Sequence, residues 1–527
     1  MSDPGGHLRT DAPPQAAAAA RRWLFADQLG PSFLDTGDQA AVLVEATSVF
    51  RRRRFHRRKA HLVLSALRHR AAELGERAQL VRAETYRAGL AAAGVDAAHP
   101  VSVTDPTSYA ARRFVRRLAA EGAVQVLPDR GHAIGEAQFE HWASGRGNEP
   151  GQRRLLMEDF YRDVRRHHRL LLDEHGGPVG GRWNFDDDNR EPPPRGAATL
   201  SGAHGLPEPW WPAEDDVDAG VREDLDRMVR EEGVDFVGED GPRRFAVTRA
   251  EAKAAVDHFL AHRLEAFGTY EDAMLAGDRW MAHSLVSVPL NLGLLHPVEV
   301  ARRAERAHRE DGARLASVEG FVRQVVGWRE YVWHLYWHLG EDYRDRDALG
   351  HAEPLPRWFA DLDAAGEVEA ACLADVLRGV REEGWVHHIP RLMVLGGYAL
   401  QRGWSPRELV AWFHASFVDG YDWVMTANVV GVSQHADGGV LATKPYTSAG
   451  AYIDRMSDYC GSCRYDPRKR LGEDACPFTA GYWAFTARHA DVLAANRRTA
   501  RAVSGLRRLP DADAVVAQEA ERGSAAP

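Results

Sequence analysis

The chain has 527 residues, 44% of them apolar, a formal net charge of −9 and a pI near 6.3. That is enough apolar material for two or three domains with buried cores. The acidic balance excludes a protein that coats nucleic acid or membrane indiscriminately, which needs a broad positive field. No stretch has the length and apolarity of a bilayer span, and the N-terminus lacks the charged start and long apolar core of a secretory signal. The expectation is a cytoplasmic protein, where cysteines serve as metal ligands or reactive thiols more often than as disulfides.

Residues 1–22 are rich in Ala, Pro and Gly and are expected to form a disordered tail. Over 23–150 the short apolar runs WLFAD, AVLVEA, AQLVRAE, PVSVTD and VQVLPD alternate with helical stretches such as HLVLSALRHRAAEL. That alternation predicts a parallel, doubly wound sheet. Ligands of such sheets sit beyond the carboxyl ends of strands, so Asp27 and Gln28 after the first run and Glu45 after the second are candidate pocket residues. No G-x-G-x-x-G follows the first run, which argues against a standard dinucleotide site. The basic run RRRRFHRRK, Arg51 to Lys59, reads as a solvated helix face, with a contact surface as the alternative.

Residues 151–215 read as a helix followed by a long ordered linker, because GGPVGGRWNFDDDNREPPPRG and LPEPWWP carry too many Gly and Pro for regular structure. From 216 to 510 the period is helical almost throughout, which predicts an all-helical domain of about a dozen helices; 511–527 is expected to be a second disordered tail. The aromatic stripe WREYVWHLYW is explained by core packing alone. Two segments, His283 to Val300 and Thr426 to Cys460, are unusually rich in small, polar and glycine residues for a helical domain, as where backbone closes on a large ligand. The chain's four cysteines, Cys372, Cys460, Cys463 and Cys476, include a C-x-x-C pair whose spacing suits tetrahedral zinc, and thiolates suit an iron–sulfur cluster as well.

The segments FADQL, GGRWNFDDDNR, FGTYEDAM, GWREYVW, WVHHIPRLM, FVDGYDWVM, NVVGVSQHADGG, ATKPYTSAGAYI and RMSDYCGSC with ACPF are the most specific within a stretch from about Trp23 to Arg508. In them the chain resembles the iron–sulfur bacterial cryptochromes and photolyases, also called prokaryotic (6-4) photolyases. The resemblance implies an N-terminal α/β antenna-type domain, a linker and a C-terminal all-helical FAD-binding domain. It implies a [4Fe–4S] cluster on Cys372, Cys460, Cys463 and Cys476. It implies an FAD pocket drawn from His283, Ser284, Ser287, Gln324, Trp328, Arg329, Asn428, Asp437 and Gly438. His387 and His388 match a pair that faces the DNA lesion and donates protons, Tyr446 and Tyr452 match tyrosines near the same cavity, and Trp412 matches the tryptophan that passes electrons to the flavin.

The chain departs from the family pattern at several positions. Phe413 stands where a tyrosine commonly follows that tryptophan, and Ala364 where a further tryptophan is usual; Trp358 and Trp423 offer other routes. The family's 6,7-dimethyl-8-ribityllumazine antenna would be lined by Asp27, Gln28 and Glu45, but Val49 and Phe55-His56 replace an acid and a histidine pair and count against it. The implied function is light-driven repair of (6-4) photoproducts in UV-damaged DNA by a monomeric lyase. The alternatives are a cryptochrome-type photoreceptor acting on an unknown signalling partner, and a non-photochemical, metal-bearing nucleic-acid binder.

Overall fold

The computed structural model describes residues 20–147 and 153–527. Each of the five apolar runs forms a strand: β1 Arg21–Leu24, β2 Ala40–Ala46, β3 Ala78–Ala83, β4 Val101–Thr104 and β5 Val124–Leu127. They pair in parallel in the order β3-β2-β1-β4-β5. Trp23, Val42, Leu43, Val101 and Val103 are fully buried, as strands covered by crossover helices on both faces require. The order reverses between β1 and β4, so the residues after those strands face the crevice where doubly wound folds bind ligands. β1 begins inside the stretch expected to be a tail; residues 1–19, and the expected boundary at Pro150, lie outside the described residues.

The basic run is exposed at Arg51 to Arg54, as expected of a solvated face, and turns inward by Lys59. Arg51 pairs with Glu84 and Glu232, Arg54 with Asp235, Arg57 with Asp226 and Asp240, and Arg58 with Glu383. Lys59 is buried and donates to the His414 and Gly420 carbonyls at 2.6 Å each. The run is a seam of ion pairs that ties the helix Arg57–Leu74 of the α/β domain to the helical domain.

The linker takes only short turns, Val179–Gly181 and Asp186–Asp188, and the helix Leu200–His204. It is pinned rather than free: Asn189 Nδ2 donates to the Ala316 carbonyl at 3.1 Å and the Phe185 N–H to Glu319 at 3.0 Å. Sixteen α-helices follow among the described residues between 216 and 510, more than the dozen expected because several span only one or two turns. Some start on a capping side chain, as Asp215 does before Asp216–Glu232 and the Thr248/Glu251 box before Arg249–His262. Among the described residues no helix is long and apolar enough to cross a membrane.

Residues 511–527 do not form the expected disordered tail. Ala512–Arg522 is a helix with Val515 wholly buried, and its Glu519 carboxylate pairs with Arg402 in the interior. Local composition suggested disorder because the stretch is short and polar; the two inward residues, four apart, supply the docking face that composition does not reveal.

Candidate functional site

The turn that carries the histidine pair is made by the sequence around it. The helix Ala371–Glu383 ends at Gly384, whose φ of +60° favours glycine, and a Cβ there would meet Val418 at 3.0 Å and the His56 ring at 3.2 Å. Pro390 opens the next helical stretch. Arg391 locks the turn: its Nε donates to the Val386 carbonyl at 2.7 Å, and its terminal nitrogens clasp Asp419 at 2.8 and 3.1 Å. Asp419 also accepts from the Ser287 hydroxyl at 2.9 Å, so the His283 segment is fixed by the same carboxylate.

Three imidazoles meet at this point. His283 and His387 are buried and stacked, with centroids 4.3 Å apart and planes at 24°; His388 stands 5.5 Å and 5.9 Å from them. His283 Nε2 and His387 Nδ1 are buried without a partner. Burial, and then the neighbouring positive groups, pushes both rings well below the usual histidine range, so both are neutral. His388 is different: its side chain is 45% exposed and its Nε2 lies 3.5 Å from Asp272. Burial alone would raise Asp272, but His388 and the arginines beside it, Arg190 at 3.3 Å among them, hold it below the ordinary carboxylate value. Tyr452 senses the same carboxylate; burial first, then Asp272, pushes its phenol to about 12.

The flavin candidates fall into two groups. Gln324 and Trp328 lie in the π-helical turn Arg323–Trp328, and Asn428 opens another, Asn428–Ser433; such turns are frequent at functional sites. Met281 and Leu285, on either side of His283 and Ser284, hold φ of +45° and +57°, unusual for side-chain-bearing residues. Ser284 lines a cavity with His283, Trp210 and Phe245. The unpartnered nitrogens of His283 and His387 fit a large heterocycle with polar edges. Other candidates spend their polar atoms internally. Arg329 donates to Glu330 at 2.7 Å and Asn428 to the Val424 carbonyl at 2.9 Å. Asp437 accepts from the N–H groups of Gly439, Val440 and Leu441 and from the Tyr343 hydroxyl, which makes it the builder of the loop where Gly438 takes a φ of +70°. Trp412 is buried with its N–H unpartnered, against Phe359, Phe413 and Phe417.

The four cysteines form no disulfide and line one cavity, together with Ala370, Gly450, Tyr459, Tyr465 and Phe478. Burial, and then the other sulfurs, pushes Cys372 well above the ordinary thiol value and Cys460 to about 12. A cationic group at the centre would reverse that cost, and the donor set fits one.

The antenna residues fit a ligand poorly. Glu45 is held by Arg68 through bonds of 2.7 and 2.9 Å, Asp27 accepts from Thr107, and Gln28 Nε2 donates to the Thr104 carbonyl at 3.0 Å, leaving Gln28 Oε1 without a partner. His56 caps the helix Arg57–Leu74 and packs on Gly238 and Gly384.

Sequence reading missed Asp272, Arg391 and Asp419. Each lay inside a segment already singled out, FGTYEDAM, WVHHIPRLM and FVDGYDWVM, and the signal available was a charged residue set among apolar neighbours.

Comparison with known proteins agrees with this architecture. A family model described as deoxyribodipyrimidine photo-lyase-related protein matches residues 22–245. A curated relative from Agrobacterium fabrum, named (6-4) photolyase, is 38% identical over 497 residues, covering 91% of this chain and 93% of its own. In fold, the crystal structure of a bacterial class III photolyase from Agrobacterium tumefaciens superimposes with a TM-score of 0.50 at 14% identity, covering 95% of this chain and all of that one. With that identity across nearly the whole of both chains, the chain belongs to the (6-4) photolyase family.

Proposed function

We propose that the protein is a light-driven lyase that reverses (6-4) pyrimidine photoproducts in UV-damaged DNA. The observation that carries the reading is the triple-histidine site: two buried neutral rings with open nitrogens behind one accessible ring backed by a carboxylate. Reduced FAD, when bound, supplies the electron that opens the lesion. Rejoining the two bases moves a hydroxyl or amine between them, which calls for a proton from a positioned acid. His388 is that acid, at the mouth and steadied through Nε2 by Asp272. His387, kept neutral, acts as a hydrogen-bond partner, and Tyr452 keeps its O–H at working pH and donates from the rim. The lesion reaches this depth by leaving the base stack, which costs least at a damaged, poorly paired site.

The same reading assigns FAD to the pocket of His283, Ser284, Gln324 and Trp328, with Asn428, Ser287 and Asp437 shaping its walls and Trp412 as the electron donor. It assigns one [4Fe–4S] cluster to the four cysteines. Four thiols around one cavity suit either metal, and the cluster is preferred because the chain belongs to the (6-4) photolyase family, which it resembles at all four cysteine positions. The reading includes a cytoplasmic monomer, and it includes no antenna.

Flavin, iron, zinc and acid-labile sulfide analysis of anaerobically purified protein, joined to a blue-light repair assay, tests it. Stoichiometric zinc without iron would overturn the cluster. Bound flavin and bound lesion DNA without repair would move the protein to the photoreceptor reading.

A further inference from the structure

The segment 511–527 lies against the stretches that carry Cys372 and Cys476. Arg470 clasps Asp511 at 2.9 and 3.0 Å, and Gln518 bridges the same loop, accepting from the Gly472 N–H at 2.8 Å and donating to the Arg470 carbonyl. Arg522 donates to the carbonyl of Ala475, the residue before Cys476, at 3.3 Å, and lies over the ring of Tyr465, which lines the thiol cavity. Arg402 pairs with Glu519 and also donates to the carbonyl of Pro477, the residue after Cys476, at 3.3 Å. Beyond the helix, the Ser524 carbonyl accepts from the Trp358 indole at 2.9 Å. The Pro527 oxygen accepts from the N–H groups of Glu369 and Ala370, just before the helix that carries Cys372, and Ala526 packs against the apolar cluster that includes Cys372 and Cys476.

We propose that residues 511–527 form a clamp over the thiol cavity, which holds the Cys372 and Cys476 segments together and controls access of solvent, oxidants and chelators to whatever the four sulfurs bind. Cys372 comes from one helix and the other three ligands from a segment eighty-odd residues later, so the cavity has no local covalent closure. The clamp bridges the two by backbone bonds at Glu369–Ala370 and by side-chain bonds at 470–477. Its opening is local: the helix Ala512–Arg522 is short, with one fully buried apolar side chain and one buried ion pair to release. The clamp is independent of whether the sulfurs hold a cluster or zinc.

Two measurements test it. In holoprotein, the rate of iron capture by a ferrous chelator is compared between the full chain, a chain ending at Pro510, and the double variant Glu519→Gln/Gln518→Ala, which keeps the segment but weakens its hold. Both variants should release metal at least about tenfold faster, as expected when a local closing equilibrium is shifted. In metal-free protein, the rate of iodoacetamide alkylation of Cys372 and Cys476 should rise in parallel, and adding the 511–527 peptide to the shortened chain should slow it again. The double variant guards against failure of the shortened chain to fold. Unchanged capture and alkylation rates in the double variant, with its thermal unfolding showing the helix released, would overturn the proposal. Zinc in place of iron would sink the cluster reading alone, with the alkylation result still deciding the clamp.

Discussion

Breaking the Arg391–Asp419 pair should disable repair through the geometry of the histidine turn. The side chains are only 16% and 7% exposed, and the guanidinium meets both carboxylate oxygens, at 2.8 and 3.1 Å. With charge centres about 4 Å apart and an effective dielectric near 20, the attraction is on the order of 4 kcal/mol. Removing one partner also strands the other charge in the interior, so Arg391→Met or Asp419→Asn should each cost about 3–5 kcal/mol. In a domain of this size that is a fall in Tm of about 5–10 °C. Because the two residues act as one unit, the double variant should cost little more than either single, a coupling of about 2–4 kcal/mol. Each single should also lower repair at saturating lesion DNA by at least about tenfold, since Arg391 holds the Val386 carbonyl beside His387 and Asp419 holds Ser287. Thermal melts of the four proteins, alongside single-turnover repair, are the assay. Single variants that lose under 1 kcal/mol and add independently, with repair intact, would refute the reasoning.

Three further outcomes follow from named residues. Burial, outweighing the nearby Asp419, lowers Lys59 to about 7, so an unfolded chain binds a proton there that the folded one does not between about pH 7 and 10. Stability should therefore rise by about 2–3 kcal/mol from pH 7 to 9 and the rise should vanish in Lys59→Met, as thermal melts across that range would read. Lys444, Arg455 and Arg498 show no carboxylate partner among the described residues, and Lys444 and Arg455 sit over the rings of Tyr446 and Tyr452. Replacing Lys444 and Arg498 by alanine should flatten the salt dependence of damaged-duplex binding by about 0.9 in log–log slope for each phosphate left without its cation, measured by fluorescence titration. Flavin photoreduction under blue light at fixed thiol concentration should slow further in Trp412→Phe and quicken in Ala364→Trp/Phe413→Tyr, because phenylalanine and alanine do not carry a hole; equal rates in all three proteins would remove Trp412 from the route.

The strands were legible because each is a short apolar run bounded by turn residues, and a doubly wound sheet buries both faces. The helical domain was legible from its period, and the four cysteines from their being the chain's whole thiol inventory. What period and composition could not reveal were partnerships across the chain. Arg57 to Lys59 looked like a surface because the acids that pair with the two arginines lie far away in sequence, at Asp226, Asp240 and Glu383. Residues 511–527 looked unfolded because the arginine that buries Glu519 lies over a hundred positions upstream. The three N–H groups of its own loop that Asp437 binds are likewise a pattern that no residue spacing announces.

The central claim rests on His388 as the proton donor in front of two neutral histidines. Its most direct test is chromatographic analysis of an oligonucleotide carrying one defined (6-4) photoproduct, incubated with reduced protein in blue light and in darkness. The account predicts restored pyrimidines in light alone. It predicts a loss of at least about a hundredfold in His388→Ala and His387→Ala, with lesion binding and flavin content retained. Full repair by both histidine variants, or none by the wild-type protein with reduced flavin and lesion bound, would contradict it.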